Sequence, residues 1–178
     1  MINIAINGFG RIGRHTLRNI LLRNVGEQLH VVAINDLTDT KTLAHLFKYD
    51  SVHGPFQGTV SYDENHLFIN GQQIQVSKEK NPELLPWEAL SIDIVIESTG
   101  HFTSGGQAAL HLKAGAKKVI ISAPSPDKEI PTIVLGINDQ AFDLSAPILS
   151  NASCTTNNVA PLVKILDENW GIEDGYIT

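Results

Sequence analysis

Cys154 is the single cysteine of this chain, and it lies in the stretch Ser150-Asn151-Ala152-Ser153-Cys154-Thr155-Thr156-Asn157-Asn158, among small polar residues. A lone free cysteine is most often a small buried hydrophobe. Three features point this one toward nucleophilic chemistry instead. It falls between a strand end at Asn151 and the start of a helix, whose N-terminus stabilises a thiolate. Its neighbours Ser153, Thr155, Thr156 and Asn157 are all hydrogen-bond donors, suited to an anionic substrate or a developing oxyanion. It also sits at the carboxyl end of a strand, the edge at which parallel sheets bind ligands. A thiolate placed so can add to an aldehyde to give a thiohemiacetal. Hydride loss to a nicotinamide would leave a thioester for water or phosphate to cleave. That scheme needs a general base near the sulfur, normally histidine.

A second constellation supplies the hydride acceptor. Gly8-Phe9-Gly10-Arg11-Ile12-Gly13 fits G-x-G-x-x-G, directly after an apolar strand and at the opening of a helix, the context that a dinucleotide fingerprint requires. The first glycine permits the tight turn, the second lets backbone approach a pyrophosphate, and the third lets helix pack on strand. The helix N-terminus offers free N–H groups to the phosphates. Asp36 follows the second strand, His30 to Asn35, where the fingerprint wants an acid for the ribose hydroxyls. Its charge would repel a 2′-phosphate, so NAD is expected over NADP.

The elements that must hold these groups read as alternating strands and helices. Strands are expected at 2–6, 30–35, 92–98, 117–122, 132–138 and 146–151. Helices are expected after the glycine loop, with Leu17, Ile20, Leu21 and Val25 on one side, at 40–48 with Leu43, Leu46 and Phe47 on one face, at 104–114 behind a Ser104 cap, and at 155–169. Pro161 predicts a kink or a late start in the last of these. Residues 59–76 differ: Leu67 and Ile69, then Ile74 and Val76, alternate about Asn70-Gly71, a type I′ hairpin signal. Continuous apolar strands between helices indicate a parallel sheet covered on both faces. The expected fold is α/β: a Rossmann-type doubly wound, mostly parallel sheet with a small antiparallel hairpin insertion.

The 178 residues, of which 42% are hydrophobic and 18% charged, can form a full core without disulfide or metal, and no metal site is expected. The net charge of −6 argues against nucleic acid. Arg11, Arg14, Arg18 and Arg23 recur at roughly helical spacing and read as one solvated face. No apolar run reaches the ~18 residues of a membrane span, residues 1–6 are too short and uncharged for a signal peptide, and one cysteine suits a reducing compartment. A cytoplasmic protein is expected.

The segments 5–14 (AINGFGRIGR), 46–56 (LFKYDSVHGPF), 97–103 (ESTGHFT), 114–125 (AGAKKVIISAPS) and 150–157 (SNASCTTN) together resemble glyceraldehyde-3-phosphate dehydrogenases, nearly end to end. The resemblance implies a nucleophile at Cys154 and substrate or phosphate binding at Ser153 and Thr155. It implies cofactor contacts at Gly8, Gly10, Arg11, Ile12, Gly13, Asp36, Thr99, Gly100 and Ser122. Lys80 falls where the family often has arginine at the adenosine end, and Asn158 where many members have a second cysteine. The implied division is an NAD-binding domain over 1–152 and the start of a catalytic domain over 153–178. The implied partners are a phosphorylated aldehyde and inorganic phosphate, within a homotetramer when full-length. Erythrose-4-phosphate dehydrogenase, a close relative with the same two motifs, is the alternative. The family's base is a histidine in a Thr-Val-His motif beyond the segment matching 171–178. None of histidines 15, 30, 45, 53, 66, 101 and 111 matches it, so residues 1–178 alone are expected to bind NAD without turnover.

Overall fold

The computed structural model describes residues 1–23, 28–141 and 145–176. Within them, eight strands form one sheet: β1 (Ile2–Asn7), β2 (Leu29–Asn35), β3 (Val60–Tyr62), β4 (His66–Ile69), β5 (Gln72–Ser77), β6 (Ile94–Glu97), β7 (Lys118–Ile121) and β8 (Ile148–Ser150). Four α-helices accompany them: α1 (Arg11–Leu22), α2 (Thr40–Lys48), α3 (Gly105–Lys113) and α4 (Cys154–Trp170). The spatial order is β3-β4-β5-β2-β1-β6-β7-β8. All pairings from β5 to β8 are parallel, while β4 pairs antiparallel with both β3 and β5. The hairpin therefore joins the main sheet through β5. Its turn has the geometry its residues call for, with Asn70 at φ 51° and Gly71 at φ 82°.

Side-chain alternation along β1 divides the core in two. Ile4 and Ile6 pack with Leu17 and Ile20 of α1 and Leu43 and Phe47 of α2. Ala5 points the other way, toward Trp87, Val95, Val119 and Ala108 of α3. Helices thus cover opposite faces, and the sheet winds outward in both directions from the β1–β6 pair. That pair is the topological switch point, where a sheet of this class opens a crevice at its carboxyl edge. The register of β1 on β2 slips between Ile4 and Ala5, so that Val31 and Ile34 reach one core and Ala33 the other.

Several expectations are corrected. Residues 132–138 form no strand: only Thr132 bridges, to Ser150, and Asn138 folds the segment back by accepting from Val134 N–H and donating to the Thr132 carbonyl. Gly136, at φ 80°, lies in that turn. Helix α4 starts no later than Cys154 and runs through Pro161. Leu46 is on the outside of α2, with Leu43 and Phe47 buried. Arg18 belongs to the interior, 5% exposed, because its guanidinium donates to the carbonyls of Phe47, Lys48 and Gly54 and faces the rings of Phe47 and Phe56. Val25 lies outside the described residues.

Candidate functional site

Strand β1 delivers the chain to the switch point. Gly8 N–H donates to the Asn35 carbonyl, and Gly8 itself turns at φ 89°. A Cβ on Gly8 would stand 2.7 Å from Thr99 N, and one on Gly13 would overlap the Gly8 carbonyl oxygen. These two glycines let the loop and the helix sit against the β6 turn. Gly10, the N-cap of α1, is different: it is exposed and an added Cβ would meet nothing within 4 Å. The first hydrogen bond inside α1 is from Arg14 N–H to the Gly10 carbonyl, which leaves the N–H groups of Arg11, Ile12 and Gly13 without helical acceptors.

A cleft of about 380 Å³ opens above this turn, lined by Gly8, Gly10, Asp36, Leu37, Lys80 and Thr99 together with Asn7, Asn35, Glu79, Ser98, His101 and Phe102. Asp36 is fixed within it: one carboxylate oxygen accepts from Phe9 N–H at 2.8 Å and the other from Thr38 N–H at 2.9 Å. Each oxygen keeps a further lone pair for a hydroxyl. Of the residues expected to meet a cofactor, the cleft gathers Gly8, Gly10, Asp36, Lys80 and Thr99. Arg11, Ile12, Gly13, Gly100 and Ser122 are not among its walls. Gly13 is buried under the loop, Gly100 turns at φ 77° just past Thr99, and Ser122 N–H donates to the Glu97 carbonyl.

Beneath the cleft runs a buried polar network that the sequence reading missed. Asn7 Nδ2 donates to Glu97 at 2.6 Å and Asn35 Nδ2 to Asn7 Oδ1 at 2.7 Å. Asn35 also clamps the backbone of Glu79, donating to its carbonyl and accepting from its N–H. The other Glu97 oxygen accepts from Thr99 N–H and Thr99 Oγ1. His111 and Trp87 complete the set: Trp87 Nε1–H donates to His111 Nδ1 at 3.0 Å. Ser98 Oγ donates to the Gly8 carbonyl at 2.7 Å and pins the glycine turn to β6. The available signal was the polar residue ending each apolar strand at this edge, Asn7, Asn35 and Glu97.

Cys154 stands at the same edge of the sheet. Strands β1, β6, β7 and β8 are mutually parallel neighbours, so the carboxyl end of β8 lies three strand spacings, on the order of 14 Å, from that of β1. Cys154 is exposed and is the first residue of α4. Ser153 caps that helix by accepting from Thr156 N–H at 2.9 Å. Ala152, directly before it, is held at φ 57°, a left-handed conformation that costs a residue with a Cβ on the order of 1–3 kcal/mol. Asn157 Nδ2 braces the turn by donating to the carbonyls of Asn151 and Ser153. The thiol's neighbour is Thr155 Oγ1, at 4.0 Å; among the described residues no histidine bonds to it. The cleft does not include Cys154, Ser153 or Thr155.

The residues present suit a dinucleotide: a glycine turn too close for side chains, an open second glycine, uncommitted helix N–H groups and an anchored carboxylate share one crevice. No described helix is long and apolar enough to cross a membrane.

Comparison with known proteins agrees with that geometry. The model of the family "Glyceraldehyde 3-phosphate dehydrogenase, NAD binding domain" matches residues 2–105. The glyceraldehyde-3-phosphate dehydrogenase of Thermotoga maritima is 54% identical over 178 residues, covering 100% of this chain and 53% of its own. That of Pseudomonas aeruginosa is 54% identical over 177 residues, 99% of this chain and 53% of its own. That of Geobacillus stearothermophilus is 53% identical, covering 99% and 52%. The chain spans about half the length of the curated relatives it matches. The cofactor of such a domain is NAD. With more than half of its residues inside that family model, the chain belongs to the glyceraldehyde 3-phosphate dehydrogenase NAD-binding family.

Proposed function

We propose that the protein is an NAD-dependent, phosphorylating aldehyde dehydrogenase of the cytoplasm that oxidises D-glyceraldehyde 3-phosphate and works as a homotetramer at full length. Residues 1–152 are the cofactor domain, and residues 153–178 open the catalytic domain. The observation that carries this reading is the shared carboxyl edge: the cleft at β1–β6 and the exposed Cys154 at the start of α4 border the same side of one sheet. The division is supported by α4 itself, which has no buried residue and leaves Leu162, Val163, Ile165 and Leu166 exposed.

In this reading the Cys154 thiolate forms a C–S bond to the aldehyde carbon. When bound, NAD accepts the hydride that leaves that carbon, and a thioester remains on Cys154. Phosphate then attacks the acyl carbon, the C–S bond breaks, the acyl phosphate leaves and the thiolate is restored. Ser153 and Thr155 bind the incoming phosphate or the substrate's own. The N–H groups of Arg11 and Ile12 hold the pyrophosphate at the helix N-terminus, across the turn that Gly8, Gly10 and Gly13 make possible. Asp36 takes the adenosine ribose, Lys80 borders the adenosine end, Thr99 and Gly100 form the turn beside the cofactor, and Ser122 adds a further contact.

The test is steady-state NADH production by the full-length protein with NAD, phosphate and either D-glyceraldehyde 3-phosphate or erythrose 4-phosphate. A higher kcat/KM for the triose, abolished by Cys154→Ser, is expected. A preference for erythrose 4-phosphate would assign the protein to that substrate instead.

A further inference from the structure

We propose that His15, Asp50 and His53 form a binding site for a divalent transition metal of the zinc class. His15 comes from α1, and Asp50 and His53 from the turn that follows α2. One ligand atom from each lies within 4.8 Å of the other two. His15 Nε2 and Asp50 Oδ2 are 3.6 Å apart, close to the ~3.4 Å that separates two ligands on a tetrahedral ion with bonds of about 2.1 Å. The His15 and His53 rings meet edge to face, 4.3 Å between centroids. Closing the third ligand onto the ion asks for a shift of about an ångström, and His53 is exposed and free to make it.

The surrounding groups prepare the three ligands. Asp50 Oδ1 accepts from the N–H groups of Val52 and His53, at 2.9 and 2.8 Å, which orients Oδ2 toward His15. The His15 ring is half-buried, and the His53 ring stands against it. Two arginines oppose a cation here. Arg18 is committed to the carbonyls of Phe47, Lys48 and Gly54, and Arg14 donates to the Phe9 carbonyl. A cavity of about 480 Å³ bordered by His15 and His53 leaves room for water to fill the remaining coordination position. Two imidazoles and one carboxylate select zinc, cobalt, nickel or copper over magnesium and calcium, which want oxygen. None of the three residues lines the cofactor cleft. An ion here would clip α1 to the turn after α2 and stabilise the folded state by mass action.

The experiment uses the full-length protein carrying Cys154→Ser, so that the thiol takes no metal. Zn²⁺ is titrated by calorimetry near neutral pH, and Co²⁺ by its visible absorption. One saturable site and an upward thermal shift reversed by chelator are expected. His53→Ala and His15→Gln should each weaken binding about tenfold or more, and His66→Ala should leave it unchanged. Far-UV circular dichroism and NAD affinity report that His53→Ala, at an exposed position, remains folded. The proposal is overturned if no binding saturates below about 1 mM, if His53→Ala binds as well as its parent, or if His66→Ala removes the site.

Discussion

His111 Nε2 lies 3.0 Å from Glu97 Oε2, and both side chains are shut off from solvent. The indole of Trp87 can only donate, so His111 Nδ1 accepts and its Nε2–H is left to face the carboxylate. The pair holds Glu97 in the position from which it accepts from Asn7 and Thr99, two residues of the cofactor cleft. Replacing His111 by Ala would leave the buried indole N–H without a partner and take one hydrogen bond from the Glu97 carboxylate. We expect His111→Ala to cost about 3 kcal/mol by urea denaturation and to weaken NAD binding as well. A loss below about 1 kcal/mol would mean that water takes over the imidazole's bonds.

Asp36 does two things at once: it anchors the glycine loop through Phe9 N–H and offers its carboxylate to the cleft. Asp36→Ala should weaken NAD about tenfold or more and raise the relative acceptance of NADP, measured by fluorescence titration of both. Asp36→Asn keeps one acceptor oxygen and should retain more of the NAD affinity. An unchanged NAD/NADP ratio in Asp36→Ala would remove the residue from the ribose site.

Gly8 has a positive φ and no room for a methyl group beside Thr99 N. Gly8→Ala should lower the unfolding midpoint, on the order of 1–3 kcal/mol for the conformation alone, and abolish cofactor binding. Gly10→Ala, with open space around it, should leave stability within about 1 kcal/mol while still weakening NAD. Equal destabilisation by both would contradict the different roles assigned to the two glycines.

Four aspartates are held below the ordinary carboxylate range. Asp39 owes this to Thr42, Asp50 to the N–H groups of His53 and Val52, Asp63 to Asn65 N–H, and Asp93 to Lys117 and then Asn3 N–H. A lowered folded-state value means that the unfolded chain binds protons first. The stability they contribute is present above about pH 4 and lost as pH falls through the folded values. His15, whose value is also lowered, acts with the same sign at higher pH, contributing above about 6.5 and losing its contribution as pH falls. Denaturant midpoints should fall from pH 7 to pH 3, and Asp93→Asn should flatten that slope. Parallel slopes in wild type and Asp93→Asn would show that this carboxylate carries none of it.

Residues 1–178 by themselves should bind NAD by calorimetry yet sustain no NADH production, because Cys154 has no histidine bonded to it within the described residues. A single burst of acylation fits this expectation. Steady turnover by residues 1–178 would show that a base lies among them.

Much of this architecture was legible because local signals agreed with one another. The glycine loop, Asp36 and the Asn70-Gly71 turn each have one conformation their residue types favour, and each adopts it. Helix α2 and the Ser104 cap of α3 followed from periodicity and capping chemistry alone, Ser104 forming a full capping box with Gln107. What escaped was settled by distant partners. The spacing of Arg18 on its helix is that of a solvated arginine, and only the carbonyls around residues 47–54 explain its burial. The run 132–138 has the composition of a strand, yet the Asn138 side chain takes the bonds a neighbouring strand would need. The Glu97–His111–Trp87 network spans three segments and has no local signature.

The β1–β6 pairing also sets an order of events during synthesis. The bond from Asn7 to Glu97 joins residues 90 apart, and the one from Ser98 to Gly8 likewise. Strand β1 and the glycine turn leave the ribosome early, but their seat against β6 exists only once about a hundred residues have followed, on the order of 5–20 seconds later at about 5–20 residues per second. Until then the β2–β1 edge has no neighbour on its β6 side, and its apolar run Ile2–Ile6 is open to wrong pairings. Nascent chains arrested before residue 97 should therefore be sensitive to protease and unable to retain the nucleotide, and those arrested well after β7 should gain protease resistance and nucleotide retention together.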